Sequence, residues 1–314
     1  MKQPWPLIPY SGWKPTCTAL HLWSQIIGKY RLARTPWVNH SWHATLYVHP
    51  RGLTTGPVPD GDSLVTLTLD FHDHTLIAES SNGRRRLARL EPMSVADFFG
   101  HAAEVVAGVG GRFTVHDRPN EVESPVQFAV DFAPRPYDRD AVERFHRALI
   151  SIDQVFELFR SGFIGKASPA HLFWGSFDLA VTRFSGRSAP LHPGGVMNLP
   201  DTVSREAYSH EVSSAGFWPG GSGVDEPMFY SYAYPAADGF EYGSVEPVEA
   251  EFSAKLGEFL LPYEAVRTSQ NPAETLIRFL QSTYAAAADT GNWDREHLEC
   301  PLGQPGVPRQ VLDA

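Results

Sequence analysis

Apolar residues recur along this chain with two periods, and the switches between them mark out the elements. From Thr16 to Leu32 the positions Leu20, Trp23, Ile26 and Ile27 repeat at helical spacing, with Gly28 near the end. A stronger stripe through Val142, Phe145, Leu149, Ile152, Val155, Phe156 and Phe159 predicts a long amphipathic helix over 140–163. Ser94 followed by Asp97 opens a helix running to about Val109, with Asp standing in for the usual Glu or Gln of a capping box. Asn271 before Pro272 caps a closing helix that reaches Ala288. Alternation of period two predicts strands over 43–48, 63–71, 74–80 and 84–90, the last two joined by an Asn82-Gly83 hairpin turn. Further strands are expected over 172–184, near 210–218, over 228–234 and over 257–263.

These elements predict an α+β fold, antiparallel sheet packed with helices. The order long helix, strands, capped helix occurs twice. This suggests an N-terminal extension (1–15), a first α+β half (16–115), a Pro- and acid-rich connection (116–140), a second half (141–296) and a C-terminal tail (297–314). If the halves are a duplication, Gly28-Lys29 matches Gly165-Lys166. "HSWHATLYVHPRG" then lies over "HLFWGSFDLAVTRFSG", pairing His40 with His171, His43 with Trp174, Thr45 with Ser176 and Tyr47 with Asp178.

Within 172–184 the alternation carries unusual chemistry. Phe177, Leu179 and Val181 make one face; Trp174, Ser176, Asp178, Ala180 and Thr182 make the other. An ordinary solvent face carries Lys, Glu and Thr, whereas this one offers a Trp, small residues and a single carboxylate. It is therefore read as a pocket wall, with Asp178 buried and partnered by His210, Arg183 or a metal, because an unpaired buried carboxylate costs several kcal/mol. In "YSHEVSSAGFWPGG" the His210-Glu211 pair suits a divalent metal or a general base, though adjacent strand residues face opposite ways and only one can share the face of Asp178. "NHSWH" leads into a strand with His43 beside Thr45 and Tyr47, and His171 opens the strand that leads to Asp178. Arg183 and Arg187 flank Ser185-Gly186 as a candidate anion clamp. "MFYSYAY" sets Tyr230 and Tyr232 on one strand face, suited to stacking on a planar ligand.

Other chemistries fail on context. "WGSFD" is not G-x-S-x-G, so Ser176, Asp178 and His210 do not read as a hydrolase triad. There is no HExxH, and neither "GVGG" nor "PGGSG" has nucleotide-loop spacing. His72-Asp73-His74 offers two metal-binding histidines but also reads as an exposed hairpin end. With only Cys17 and Cys300, a four-cysteine zinc site is excluded and no disulfide framework is expected. A net charge of -10 argues against a nucleic-acid or anionic-membrane surface. No apolar run approaches the roughly 18–20 residues of a membrane helix, and no export signal is visible, so a cytoplasmic protein is expected. At 314 residues the chain can bury a large core.

"WGSFDLAVTRFSGR", "YSHEVSSAGFWPG", "LHLWSQIIGK" and "NHSWHATLYVHPRGLTT" together resemble a bacterial domain-of-unknown-function family, number five-nine-nine-six in that series, over about residues 13–296. The resemblance implies no activity, fold or catalytic residue. Three functional readings stay open. The first is an enzyme acting on a small molecule, with Asp178 and His210 or Glu211 catalytic, His43 and His171 beside them, Arg183 as an anion contact and a divalent metal as the candidate cofactor. The second is a non-catalytic small-molecule binder walled by Trp174, Trp218, Tyr230 and Tyr232. The third is a structural or protein-interaction role. Because each sits on the polar or ambiguous face of a predicted strand, His43, Asp178 and His210 are expected around one cavity.

Overall fold

The computed structural model describes residues 3–221 and 223–309; residues 1 and 2 of the extension and 310–314 of the tail lie outside the described residues. The first half runs α1 (Tyr10–Leu32), β1 (Tyr47–His49), β2 (Gly52–Thr54), β3 (Val58–Asp60), β4 (Ser63–Asp70), β5 (Thr75–Ser80), β6 (Arg85–Arg89) and α2 (Val95–Gly108). The second runs α3 (Arg139–Ser161), β7 (His171–Phe173), β8 (Asp178–Ser188), α4 (Asp201–Ala207), β9 (His210–Trp218), β10 (Met228–Tyr234), β11 (Glu251–Ser253), β12 (Glu258–Pro262), α5 (Tyr263–Thr268), α6 (Pro272–Thr290) and α7 (Arg295–Leu298). The fold is α+β. One antiparallel sheet has the order β1-β2-β4-β5-β6, with β3 also on β4; the other has the order β11-β12-β10-β9-β8-β7.

The two sheets meet at their inner edges. Leu46 and Leu172 exchange backbone hydrogen bonds of 2.9 and 2.8 Å, an isolated antiparallel bridge that aligns β1 with β7. Helix α2 packs on the first sheet, α3 and α6 pack on the second, α1 packs against α2 and α3, and a continuous apolar core runs from Ile8 to Trp293 through both halves. Each half thus begins with a helix of 23 residues, continues through six strands and returns in a helix.

The capping signals hold. Ser94 Oγ accepts from Asp97 N at 3.0 Å while the Asp97 carboxylate accepts from Ser94 N at 3.2 Å, and Asn271 Oδ1 accepts from Glu274 N. Three boundaries differ from the sequence reading. Helix α1 begins at Tyr10 instead of Thr16, because Tyr10 and Trp13 extend its buried stripe. Residues 43–46 precede the strand, since the chain enters through a short turn with His40 at φ 60°. The run 172–184 is also not one strand: Trp174–Phe177 form a four-residue turn between Phe173 and Asp178, with Phe177 at φ 59°. A left-handed Phe costs about 1–2 kcal/mol, offset here by burial of its ring against His21 and Phe145.

Trp174 ties this turn to both halves. Its indole Nε1–H donates to Ala44 O at 2.6 Å, and its ring lies so close to Gly28 of α1 that a Cβ there would sit 2.2 Å from Cδ1. Gly100 in α2 has no atom within 4 Å of its Cβ position. Gly28→Ala should destabilise by about 1–3 kcal/mol through overpacking, whereas Gly100→Ala should stabilise by about 0.5–1 kcal/mol through helix propensity. Thermal denaturation of the two variants checks the opposite signs.

Candidate functional site

Parity along the second sheet sorts its residues into two chemistries. Leu179, Val181, Phe217, Phe229, Phe259 and Leu261 face the helices and are buried. On the other face, the register sets Thr182, Ser214, Tyr232 and Glu258 in one cross-strand row and Ala180, Gly216, Tyr230 and Leu260 in the next. A cavity of about 560 Å³ opens over this second face. Its roof comes from the turn around His40–Trp42, from α4 and from the connection at 116–121.

The roof segment is fixed to the frame by hydrogen bonds. Gln25 of α1 accepts from Asn120 N and donates to Asn120 O, both at 2.9 Å. Lys29 donates to Asn120 Oδ1, while Asn120 Nδ2 donates to Asn198 O at 2.7 Å. This arrangement hangs Glu121 inside the cavity against Gly175, where a Cβ would meet the Glu121 carboxylate. At the far side of the roof, His40 Nδ1–H donates to Ala207 O at 2.6 Å, which leaves Nε2 to accept from Lys166 Nζ at 2.6 Å.

Asp178 lies at the floor and is 4% exposed. Its two oxygens accept from neutral hydroxyls: Ser176 Oγ on one side, Tyr230 Oη on the other. Tyr230 reaches Asp178 from two strands away because the intervening β9 carries Gly216, whose Cβ would sit 2.3 Å from the phenol oxygen. Trp218 stacks on Tyr230 at 4.4 Å between ring centres, and Tyr230 on Tyr232 at 6.0 Å. Tyr208 of the roof closes the row with a 2.7 Å hydrogen bond to Tyr232 Oη.

The electrostatics of the cavity are set by burial without counter-ions. Burial pushes Asp178 up, against the lowering by Ser176 and Tyr230. Burial, and then the Asp178 charge, raise both Glu121 and Glu258 to about 7. Burial lowers Lys29 to about 8. Glu258 Oε2 is buried with no hydrogen-bond partner.

Of the residues picked from sequence, Trp174, Ser176, Asp178, Trp218, Tyr230 and Tyr232 line this cavity. The others do not join it. Arg183 sits on the opposite face, 1% exposed, with its guanidinium 3.5 Å from the Phe159 ring centre and donating to Phe159 O; it cannot contact an anion there. Glu211 also points away, bound by Arg187 at 2.6 Å and Ser185 at 2.7 Å. His210 keeps the parity of the cavity face, but it pairs with Ser188 at the other end of β9 from Trp218, about 26 Å along the strand. Its neighbour is His40, with ring centres 5.9 Å apart. His43 is buried, with Nδ1 3.2 Å from both the N–H and the C=O of Val38. His171 is fully buried without a hydrogen-bond partner, and burial lowers it to about 3, so it stays neutral. Asp178 therefore has a tyrosine and a serine where His210, Arg183 or a metal was expected, and His43, Asp178 and His210 do not share a cavity. Among the described residues no three His, Cys, Asp or Glu side chains converge on a metal position.

Sequence reasoning missed Lys29, Glu121, Tyr208 and Glu258. Lys29 interrupts the apolar stripe of α1, and Glu258 alternates with Phe259 and Leu261, so both carried a signal. Glu121 lies in the Pro-rich connection and carried none.

An α+β protein with a roofed, aromatic- and carboxylate-lined cavity on one sheet is the class that fold and site define. The chain belongs to the DUF5996 family, a family of unknown function whose match covers residues 5–300. No curated protein and no solved structure matches it. Among the described residues no helix is long and apolar enough to cross a membrane.

Two predictions follow from the floor of the cavity. Tyr230→Phe removes one of two hydrogen bonds to a buried carboxyl and should cost about 1.5–3 kcal/mol, and Gly216→Ala should cost at least as much by displacing the same ring; denaturant titration measures both. Glu121 and Glu258 hold protons in the folded state at pH values where the unfolded chain has lost them. Their contribution to stability is thus full below about 4.5 and lost as pH rises through about 7. The melting temperature of Glu121→Gln/Glu258→Gln should accordingly fall less between pH 5 and pH 8 than that of the unaltered protein.

Proposed function

We propose that the protein binds a small organic molecule in the cavity over the second sheet, with the aromatic row as its wall. The observation that carries this reading is the cavity itself, about 560 Å³ with Trp42, Trp174, Trp218, Tyr230 and Tyr232 among its lining. That volume falls in the range of ligand sites, roughly 300–1,000 Å³, and apolar walls with a few convergent polar groups are their usual composition. The floor supports the same reading: a buried acid and stacked rings held in fixed hydrogen bonds cost less to order on binding than mobile ones. A second reading, an acid–base enzyme acting in this cavity, is favoured by Glu121 and Glu258, whose values near 7 suit groups that both give and take protons. The two part on product: a binder returns its ligand unchanged.

Screening a metabolite library by thermal shift tests the proposal. A ligand at 100 times its Kd should stabilise the protein by about 2.7 kcal/mol. Val203 lines the cavity from α4, so Val203→Trp should obstruct it from the roof and abolish the shift. Stabilisation that survives in Val203→Trp would place the ligand elsewhere. Metal analysis of untagged protein checks the metal-dependent alternative, for which a stoichiometric divalent ion is the required result.

A further inference from the structure

Building on the ligand-cavity reading, we infer that the cavity takes an organic cation: an ammonium group, free or methylated, carried on an aromatic or apolar body. Three carboxyl groups, Asp178, Glu121 and Glu258, face this space, and none forms an ion pair among the described residues. The other buried acids, Asp60, Asp70 and Asp131, are each matched, by Arg34 at 3.2 Å, Arg51 at 2.5 Å and Arg135 at 2.6 Å. The three cavity acids have no such partner among the described residues and lie together where a ligand would sit.

The hydrogen-bonding balance points the same way. Ser176 and Tyr230 spend their protons on Asp178, and the pairs Tyr208–Tyr232 and Thr182–Ser214 each spend one proton internally. On the sheet side the unspent capacity is that of an acceptor, the partnerless, buried Glu258 Oε2, while the unpartnered Ser41 and Ser204 hydroxyls lie in the roof. A ligand that completes the site must bring donors or positive charge. An anionic ligand would leave these oxygens unmatched and add repulsion. Lys29, the one Lys or Arg among the described lining residues, does not neutralise the acids: it donates to Asn120 Oδ1 and lies 5.1 Å from the Trp174 ring centre. Beside the acids, the stacked faces of Trp218, Tyr230 and Tyr232 offer the negative quadrupole that attracts a desolvated cation. The same rings take the apolar body of the ligand.

The test uses four probes of similar size on the full chain at pH 8: 2-phenylethylamine, benzyltrimethylammonium, neutral 2-phenylethanol and anionic 3-phenylpropionate. Binding is read by calorimetry, with tryptophan fluorescence as a second signal. The expected result is saturable binding of the two cations, weaker binding of the alcohol and none of the carboxylate. Glu258 has no structural hydrogen bond to lose, so Glu258→Gln should fold normally and weaken the cations ~10-fold or more while leaving the alcohol unchanged. Asp178→Asn should do the same where it folds, and Glu258→Gln decides the matter where it does not. Alcohol or carboxylate binding as tightly as the amine, or cation affinity indifferent to Glu258→Gln, would overturn the cationic ligand while leaving the cavity reading intact. Failure of all four probes, together with an empty metabolite screen on folded protein, would overturn both.

Discussion

The hydrogen bond from Tyr230 to Asp178 is the contact on which the site depends, and it exists because Gly216 lies beneath it. A side chain at 216 would occupy the phenol's place, and Asp178 would lose the partner that reaches it across β9. The ring, once laid flat over that glycine, becomes the middle of the stack Trp218–Tyr230–Tyr232. One missing Cβ therefore sets both the hydrogen bonding of the floor and the aromatic wall above it. The turn at Trp174–Phe177 completes the arrangement from the other side, because it delivers Ser176 to the second carboxylate oxygen while keeping Phe177 in the core.

Two kinds of buried acid occur in the same chain, and the contrast separates architecture from function. Burial pushes Asp60 up, but the Arg112 amide, the Tyr30 hydroxyl and the Arg34 guanidinium outweigh it and hold the carboxyl below its ordinary value. Asp70 is held down likewise by Arg51 and two backbone amides. Asp178 has two hydroxyls and its own backbone amide but no cation, and stays raised, with Glu121 and Glu258 raised beside it. An acid that only braced the fold would gain from a cation partner, as Asp60 does. The protein instead lines one cavity with three carboxyls that have no ion pair among the described residues, an arrangement that costs stability and that the proposed ligand site would account for.

Local rules reached far into this fold and stopped where the chain turns back on itself. The stripes of α1 and α3, the caps at Ser94 and Asn271 and the parity of β8 were legible, since each is set within a few residues. Parity even survived the unrecognised turn at 174–177, because four inserted residues return Asp178 to the side of Trp174 and Ser176. Distance along a strand did not show in the same way: His210 and Trp218 share a face of β9 yet stand at opposite ends. Arg183 misled for a related reason. A charge at a strand position with core parity was read as an anion contact of the site, whereas the Phe159 and Tyr284 rings and the Phe159 carbonyl of α3 and α6 accommodate it in the interior. Glu121 could not be placed at all, because its position follows from the Gln25 side-chain amide, which pairs with the backbone of Asn120 across 95 residues of sequence.

Those amide contacts also explain why the cavity needs both halves. The second sheet supplies floor and wall, but the roof is held by α1, through Gln25 and Lys29, and by the turn at His40, whose backbone N–H donates to Glu206 of α4 at 3.0 Å. Trp174 joins the same elements, bonded to Ala44 and seated on Gly28. The bridge between Leu46 and Leu172 fixes the two sheets edge to edge within a few residues of these contacts. The second half alone would present the aromatic row, Asp178 and Glu258 to water, where solvent would screen the charges and occupy the acceptors. Closing the first half over them turns an exposed polar sheet face into a low-dielectric space, where the charge of an unmatched carboxyl would act on the proposed ligand with little screening.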